Sequence, residues 1–238
     1  MTSGPESAEE RSATDARRAS VRDAFIRERG FWAPPFEAIL LADPDFLEAY
    51  VAFSGAPWRH GPLEPKVKEF IYIAADAAVT HLHPVGTASH IRSALRHGAT
   101  PAELASVLQV VSLIGLQSLE LGMPLLLAEA GLAPEEDTMA ALARLDSAGA
   151  EGARGWIETV LGSSPLPVVV IELIGVAVNA STTHLNQDAT AAHVRAALAA
   201  GATPLEIAEV LELVSVLGIH SALMAMPMLL DALQPDAD

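Results

Sequence analysis

The chain has 238 residues, of which 51% are hydrophobic and only 5% are aromatic, and its formal net charge is −16. This composition favours closely packed helices over a sheet, and the negative charge would repel a nucleic-acid backbone. The sequence has no cysteine, which excludes disulfides, thiolate nucleophiles and zinc–thiolate sites. We therefore expect a helical protein with no nucleic-acid partner.

The first 20 residues are polar and charged, with no apolar stretch that could serve as a signal peptide. We interpret residues 1–20 as a disordered leader. The most apolar later segment, residues 165–181, is short for a membrane span and carries Glu172 near its middle. We therefore predict a soluble, cytoplasmic protein with no membrane partner, in which this segment is a buried helix.

One segment of the chain is present twice. The stretch HGATPAELASVLQVVSLIG, which begins at His97, returns 103 residues later as AGATPLEIAEVLELVSVLG. Over 38 aligned positions beginning at His90, 20 residues are identical. A match of this length indicates a duplicated unit. We predict a first repeat at residues 21–130 and a second, diverged repeat at residues 131–238.

The motif GATPxE at the centre of each repeat predicts a joint between two helices. The glycine suits the position just after a helix, and the threonine, proline and glutamate suit the N-cap, the first and the third positions of the next helix. Apolar residues then follow at helical spacing. The joint residues are Gly98, Thr100, Pro101 and Glu103 in the first copy and Gly201, Thr203, Pro204 and Glu206 in the second.

These elements predict an all-α protein, a tandem duplicated helical bundle built from two pseudo-equivalent halves. Each half has an apolar helix, a polar turn, a histidine-bearing helix, the joint and a last helix. Helices precede the first copy at residues 21–55, and we expect the linker between the copies to supply their equivalents for the second copy.

Histidines cluster at the polar turn of each repeat. Because Pro84 and Gly86 break the helix, His81 ends one helix and His90 lies early in the next, so the two imidazoles can converge across the corner. If Thr87 caps the second helix, His90 occupies its third position, where the helix dipole favours a neutral imidazole. The second copy repeats the pattern with His184, Thr190 and His193.

Glu69 and Glu172 lie at equivalent positions of the two apolar helices, and they are the carboxylates best placed to orient or protonate the imidazoles. A neutral imidazole held by a carboxylate is suited to general acid–base catalysis. We therefore predict six catalytic residues, namely His81, His90 and Glu69 in the first copy and His184, His193 and Glu172 in the second.

Four further residues are candidates for substrate binding. Arg92 and Arg195 could anchor a carboxylate, and His83 lies in the first turn. His220 stands where the first copy has Gln117, so we expect it to line the second site only. His81, His83 and His90 could together hold a metal, but Asn186 replaces His83 in the second copy, and we predict neither a metal nor a cofactor.

The stretch LEPKVKEFIYIAADAA, a following histidine and the stretch ALRHGATPAELASVLQVVSLIG together resemble the carboxymuconolactone decarboxylase family, which also contains the alkylhydroperoxidase D-like proteins. The resemblance covers residues 35–130 and, in more diverged form, 165–232. It implies an all-helical fold and assembly as trimers or hexamers of a repeated unit. For a tandem chain, which is similar to a fused dimer, it implies a homo-oligomer, with a trimer favoured.

The peroxidase-like branch of that family uses a CxxC pair four residues before its histidine. Here His83 and Gly86 stand at the cysteine positions of the first copy, and Asn186 and Ala189 stand there in the second, so this activity is not carried over. The resemblance then implies a cofactor-independent decarboxylase, or a related lyase or isomerase, that acts on a small carboxylated lactone or oxygenated organic acid.

Two alternatives remain open at the sequence level: a non-catalytic small-molecule-binding or scaffold protein of the same fold, and an enzyme that uses a histidine-bound metal. The first copy has an additional histidine, His83, and a basic flank with Lys66 and Lys68. These residues favour the first copy as the more active one.

Overall fold

The computed structural model describes residues 7–234, and all of the regular structure in this range is helical. The all-α prediction is therefore confirmed. Contacts divide the chain into two compact units. Among the described residues, the first unit holds those up to Pro62 and from Ser215 onward, and the second unit holds Leu63–Val214.

The first unit is built around an aromatic cluster. Phe25 is fully buried, and its ring centroid lies 5.4 Å from that of Phe31, 5.2 Å from Trp32 and 4.4 Å from Phe36. Ile219, in the last helix of the chain, belongs to the same core. The four helices of this unit are α1 (Ala8–Arg29), α2 (Pro34–Ala42), α3 (Pro44–His60) and α13 (Ile219–Ala232).

The predicted disordered leader is wrong for residues 8–20, which form the first half of α1. Ser7 begins this helix with a capping box, because its hydroxyl accepts from the Glu10 amide while the Glu10 carboxylate accepts from the Ser7 amide. Further along, Arg17 donates to Asp45 and Glu48 of α3. A charged composition therefore reflects an exposed helix face here. Residues 1–6 lie outside the described range.

The second unit is organised by two apolar helices, α4 (Pro65–Ala77) and α10 (Val168–Ala180), which pack against each other. Most residues of both helices are buried, so the prediction of a buried helix at residues 165–181 is confirmed. The histidine-bearing helix of each repeat packs on its own apolar helix, α5 (Pro84–Arg96) on α4 and α11 (Gln187–Ala199) on α10. The helices of this unit are α4 (Pro65–Ala77), α5 (Pro84–Arg96), α6 (Pro101–Ser112), α7 (Gln117–Glu129), α8 (Thr138–Leu145), α9 (Ser147–Gly162), α10 (Val168–Ala180), α11 (Gln187–Ala199) and α12 (Pro204–Ser215).

The duplication extends over nearly the whole described chain. Helices α8 and α9 in the linker lie 103 residues after α2 and α3, as expected from the sequence. The final helices of the repeats are exchanged, since α7 of the first repeat packs on α8 of the second, and α13 of the second packs on α2 of the first. The compact units therefore do not follow the repeat boundary at residue 130.

The predicted helix joints are confirmed. Gly98 and Gly201 have φ angles of 84° and 101°, in the left-handed region that favours glycine after a helix. The Thr100 hydroxyl accepts from the Glu103 amide at 3.1 Å, while the Glu103 carboxylate accepts from the Thr100 amide at 2.7 Å. The second repeat reproduces both contacts with Thr203 and Glu206.

Two helical stretches, Pro101–Glu129 and Pro204–Ala232, are long and apolar enough to cross a membrane, by length and composition only. Each consists of two helices joined by a 3₁₀ turn, and apolar side chains on their second halves are exposed. The exposed residues occupy equivalent positions in the two repeats: Leu121, Leu125 and Leu126 in α7 and Met224, Met228 and Leu229 in α13.

One buried ion pair joins the two repeats inside the second unit. The Lys68 ammonium on α4 lies 2.9 Å from the Glu209 carboxylate on α12, and both side chains are almost fully buried. The second carboxylate oxygen of Glu209 accepts from the Leu63 amide at 2.8 Å. At the equivalent positions of the other copy the residues are Ile171 and Ser106, so this pair exists once.

We expect Lys68→Ile to lower the free energy of unfolding by about 3–5 kcal/mol, because it leaves the Glu209 carboxylate buried without its cation. The double variant Lys68→Ile/Glu209→Ser, which copies the residues of the other repeat, should lose less than Lys68→Ile alone. Urea denaturation followed by circular dichroism measures both. A double variant less stable than the single one would show that the pair is not coupled in this way.

Candidate active site

The corner before each histidine-bearing helix has the same backbone in both repeats. Leu82 and Leu185 have φ angles of 49° and 52°, a left-handed conformation that is uncommon for leucine. In the first corner the His83 amide donates to the Asp76 carbonyl at 2.8 Å. In the second corner the Asn186 amide donates to the Asn179 carbonyl at 2.9 Å. The same backbone hydrogen bond therefore brings residues 76 and 83 together in the first corner and residues 179 and 186 together in the second.

The helices after the corners begin earlier than the sequence analysis predicted. Their N-caps are His83 and Asn186, not Thr87 and Thr190. The His83 Nδ1 atom accepts from the Gly86 amide at 3.2 Å, and Asn186 Oδ1 accepts from the Ala189 amide at 3.1 Å. The threonine hydroxyls instead donate to the carbonyls of His83 and Asn186.

This earlier start places His90 and His193 at the seventh helical position rather than at the third. The field of a helix terminus falls off within the first turn. The predicted dipole effect on the two imidazoles is therefore wrong. Proline suits the first position of α5, and the Asn186 side chain caps the earlier start of α11.

A glutamate–histidine pair is formed in each repeat. Glu69 Oε2 lies 2.7 Å from His90 Nδ1, and Glu172 Oε2 lies 2.8 Å from His193 Nδ1. For a neutral imidazole beside an ionised carboxylate, we assign the proton to Nδ1, which donates to the carboxylate. Nε2 then keeps its lone pair, as a general base requires. The structure thus brings together four of the six predicted catalytic residues.

The two pairs differ in their accessibility. The Tyr72 ring stacks on the His90 imidazole, with centroids 4.5 Å apart and planes 23° apart. The equivalent residue of the second repeat is Gly175, which has no side chain. The His193 ring lies directly over the backbone of Gly175. The His193 side chain is 36% exposed against 18% for His90.

The second pair borders a cavity of about 230 Å³ inside the second unit. Its walls are mostly aliphatic side chains from α6, α9 and α10. The polar groups on its lining are Glu172, His193, Gln117, Asn179 and Glu120. This arrangement combines an apolar enclosure with a small set of hydrogen-bonding groups, as in small-molecule sites.

Gln117 closes the corner of the second repeat. Its Oε1 atom accepts from Asn186 Nδ2 at 2.8 Å and lies 2.7 Å from His184 Nε2, while its Nε2 atom donates to Asn179 Oδ1 at 2.6 Å. His184 therefore contacts Gln117 rather than the glutamate–histidine pair. Because Gln117 belongs to α7, the first repeat supplies a side chain to the site of the second.

In the first corner, His81 and His83 face Asp76 rather than Glu69. His81 Nε2 lies 3.8 Å from Asp76 Oδ1, and His83 Nδ1 lies 3.6 Å from Asp76 Oδ2. Burial raises the pKa of the Asp76 carboxyl, and charges on His90, His83 and His81 oppose this shift. Burial also lowers the pKa of His81, while Asp76 opposes that shift.

Sequence reasoning missed Asp76, Tyr72 and Gln117. A signal for Asp76 was present, because it is the last acidic residue of an otherwise apolar helix and pairs with Asn179 at the repeat offset. Nothing local identified Gln117 as a partner of Asn179, since 62 residues separate them.

The predicted substrate-binding residues lie in several places. Arg92 and Arg195 are exposed, and Arg195 lines an open depression with Asn186 and Thr190 rather than the cavity of His193. His83 is the N-cap of α5. His220 lies on α13, in the first unit. Their roles in substrate binding stay predictions.

The fold and the site define a duplicated all-helical protein with a glutamate–histidine pair in each repeat. The model of the carboxymuconolactone decarboxylase family matches residues 44–121 and 136–226. The chain therefore belongs to the carboxymuconolactone decarboxylase family.

A crystal structure of a Burkholderia xenovorans LB400 protein, provisionally described as a gamma-carboxymuconolactone decarboxylase subunit, is similar to this chain. The two chains are 36% identical with a TM-score of 0.84, and the match covers 91% of this chain and 97% of that one. No curated protein sequence matches the chain.

We expect Gly175→Ala to displace the His193 ring and break its hydrogen bond to Glu172, because an added Cβ would overlap with the His193 Nδ1 atom. The His193 imidazole resonances in a ¹H–¹³C NMR spectrum should shift. Gly152→Ala, at an open helix position of α9, is the matched control and should leave them in place. Equal spectra for the two variants would contradict the predicted contact.

Proposed function

We propose that the protein is a cofactor-independent decarboxylase, or a related lyase or isomerase, that acts on a small carboxylated lactone or oxygenated organic acid. The observation that carries this proposal is the Glu172–His193 hydrogen bond at 2.8 Å on the edge of an apolar cavity of about 230 Å³. Membership of the carboxymuconolactone decarboxylase family supports the same class of reaction.

In the proposed reaction, the carbon–carbon bond to the substrate carboxylate breaks and its electron pair moves into a conjugated carbonyl group. Carbon dioxide leaves, and Nε2 of His193, which has first taken up a proton from water, donates this proton to the carbon that lost the carboxylate. Glu172 stabilises the imidazolium that carries this proton and fixes the ring orientation. In an isomerisation, the same imidazole would remove a proton from one carbon and return it to another.

The cavity wall suits the loss of a carboxylate. Among the described residues on its lining, none is a lysine or an arginine, and two are glutamates. A substrate carboxylate would lose much of its hydration there without gaining a lysine or arginine partner, whereas the negative charge becomes delocalised as carbon dioxide leaves. The surroundings therefore favour the transition state over the bound acid.

The second repeat is the better candidate for the reacting centre, in contrast to the expectation from the sequence. Tyr72 covers one face of His90, and the Glu69 side chain is only 4% exposed against 21% for Glu172. The His193 side chain is also twice as exposed as that of His90, so a substrate can reach its imidazole more easily. We propose that the first pair mainly stabilises the fold.

We expect His193→Ala to lower kcat about 100- to 10,000-fold, the usual contribution of a general acid–base group. Glu172→Gln should lower kcat as well, since it removes the charge that stabilises the imidazolium. His90→Ala should have a smaller effect, and His97→Ala, at an exposed position, should have none. Steady-state kinetics on a panel of carboxylated lactones and keto acids, with circular dichroism to check the fold, measures these effects. A larger loss from His90→Ala than from His193→Ala would reverse the assignment.

The second candidate function is that of a non-catalytic binding protein of the same fold. The apolar cavity could bind a small molecule without any reaction. Differential scanning fluorimetry with the same panel separates the two. A compound that raises the melting temperature of both wild type and His193→Ala without being converted supports the binding protein. Conversion by the wild type alone supports the enzyme.

We also propose that the chain forms a homo-oligomer, with a trimer as the expected state. Exposed apolar residues at equivalent positions of α7 and α13, such as Leu121 and Met224, support this proposal. The Burkholderia xenovorans protein is itself described as a subunit.

We expect light scattering to give a mass close to three times that of the 24.9 kDa chain. Leu121→Glu/Met224→Glu should reduce this mass, because it places charges where apolar contacts are required. Arg154→Glu, at an exposed polar position, is the control and should leave the mass unchanged. A wild-type mass equal to one chain would contradict the proposed assembly.

A further inference from the structure

We propose that the corner of the first repeat binds a divalent transition-metal ion, with zinc as the first candidate, through Asp76, His81 and His83. This site is separate from the glutamate–histidine centre, and it differs from the histidine set considered in the sequence. His90 is paired with Glu69, and Asp76 takes its place beside the other two histidines.

The geometry is close to that of a metal site. The candidate ligand atoms of the three residues lie within 4.8 Å of one another. The shortest carboxylate–imidazole distances are 3.8 Å to His81 and 3.6 Å to His83. Tetrahedral zinc with bonds of about 2.1 Å holds its nitrogen and oxygen ligands about 3.4 Å apart. Small side-chain rotations would therefore bring the three atoms to coordination distance.

The donor set also suits such an ion. Two imidazoles and one carboxylate are ligands that zinc and its neighbours in the first transition series accept. A bound dication would neutralise the buried Asp76 carboxylate. The His81 and His83 side chains are 16% and 29% exposed, which gives an ion a path of entry.

The second repeat provides an internal comparison. Its corner has the same backbone, but Asn179 and Asn186 replace Asp76 and His83, and the Gln117 amide fills the space with hydrogen bonds. Neutral amides are poor ligands for zinc-type ions compared with carboxylate and imidazole. The metal-binding set is therefore present in the first repeat alone, on a scaffold that folds without it.

The N-cap contact of His83 is compatible with coordination. Its Nδ1 atom accepts from the Gly86 amide, so this nitrogen has a lone pair and not a proton. A metal ion at Nδ1 would replace this 3.2 Å contact. Because Asn186 caps the equivalent helix through its side chain, His83→Asn removes a ligand while keeping the cap.

The test uses the full-length chain after treatment with a chelator, with Co²⁺ as a spectroscopic probe and Zn²⁺ as its competitor. We expect one ion per chain, a visible Co²⁺ absorption band that Zn²⁺ removes, and paramagnetic shifts of the His81 and His83 imidazole resonances. Asp76→Asn and His83→Asn, which copy the second repeat, should each weaken binding about 100-fold, the scale expected for a lost ligand.

His184→Ala, in the corner without the ligand set, is the matched control and should bind Co²⁺ as the wild type does. Circular dichroism checks that each variant is folded. The proposal is overturned if the wild type binds no Co²⁺ in excess over His81→Ala, or if His184→Ala loses as much affinity as His83→Asn. Binding is measured without substrate, so either result leaves the proposed function to be judged by kinetics.

Discussion

The packing of α4 against α10 is the constraint on which the rest of the structure depends. Both helices are too apolar to face water, and they carry a carboxylate at equivalent positions, Glu69 and Glu172. A carboxylate in such surroundings requires a hydrogen-bonding partner. The helix that follows each corner supplies one, because α5 and α11 pack along α4 and α10 and place a histidine beside each carboxylate. The candidate catalytic pair is thus a consequence of burying the core.

On this common frame, the two repeats have diverged by single side chains. Tyr72 covers one histidine, whereas Gly175 uncovers the other. The first corner has the ionisable side chains of Asp76 and His83, whereas the second has amides at the equivalent positions, Asn179 and Asn186, and Gln117 bridges them. The backbone hydrogen bond across each corner is unchanged. Divergence of these side chains therefore required no change in the fold, which is why one chain can hold an accessible glutamate–histidine pair and a separate histidine–aspartate cluster.

The sequence predicted the features that depend on a local pattern or on the repeat offset. The helix joints at Gly98 and Gly201 were found from their capping pattern, and the pairing of Glu69 with His90 was found from two residues repeated at one offset. The start of α5 was misplaced because Thr87 and Pro84 both suit the beginning of a helix, and only the contact between His83 and Gly86 distinguishes them. The role of Gln117 could not be found at all, since it depends on how α7 packs.

Because the final helices of the repeats are exchanged, fusing the two copies in one chain allows their sites to differ. In a symmetric pair of identical chains, a substitution at position 117 would alter both sites together. In the fused chain this position is Gln117 in one repeat and His220 in the other, so each can change alone. Gln117 lies on the first repeat and forms hydrogen bonds to Asn179, His184 and Asn186 of the second. A site completed by the other repeat can thus be altered without a matching change in its counterpart. Fusion therefore removes the symmetry that would otherwise oblige both sites to have the same chemistry.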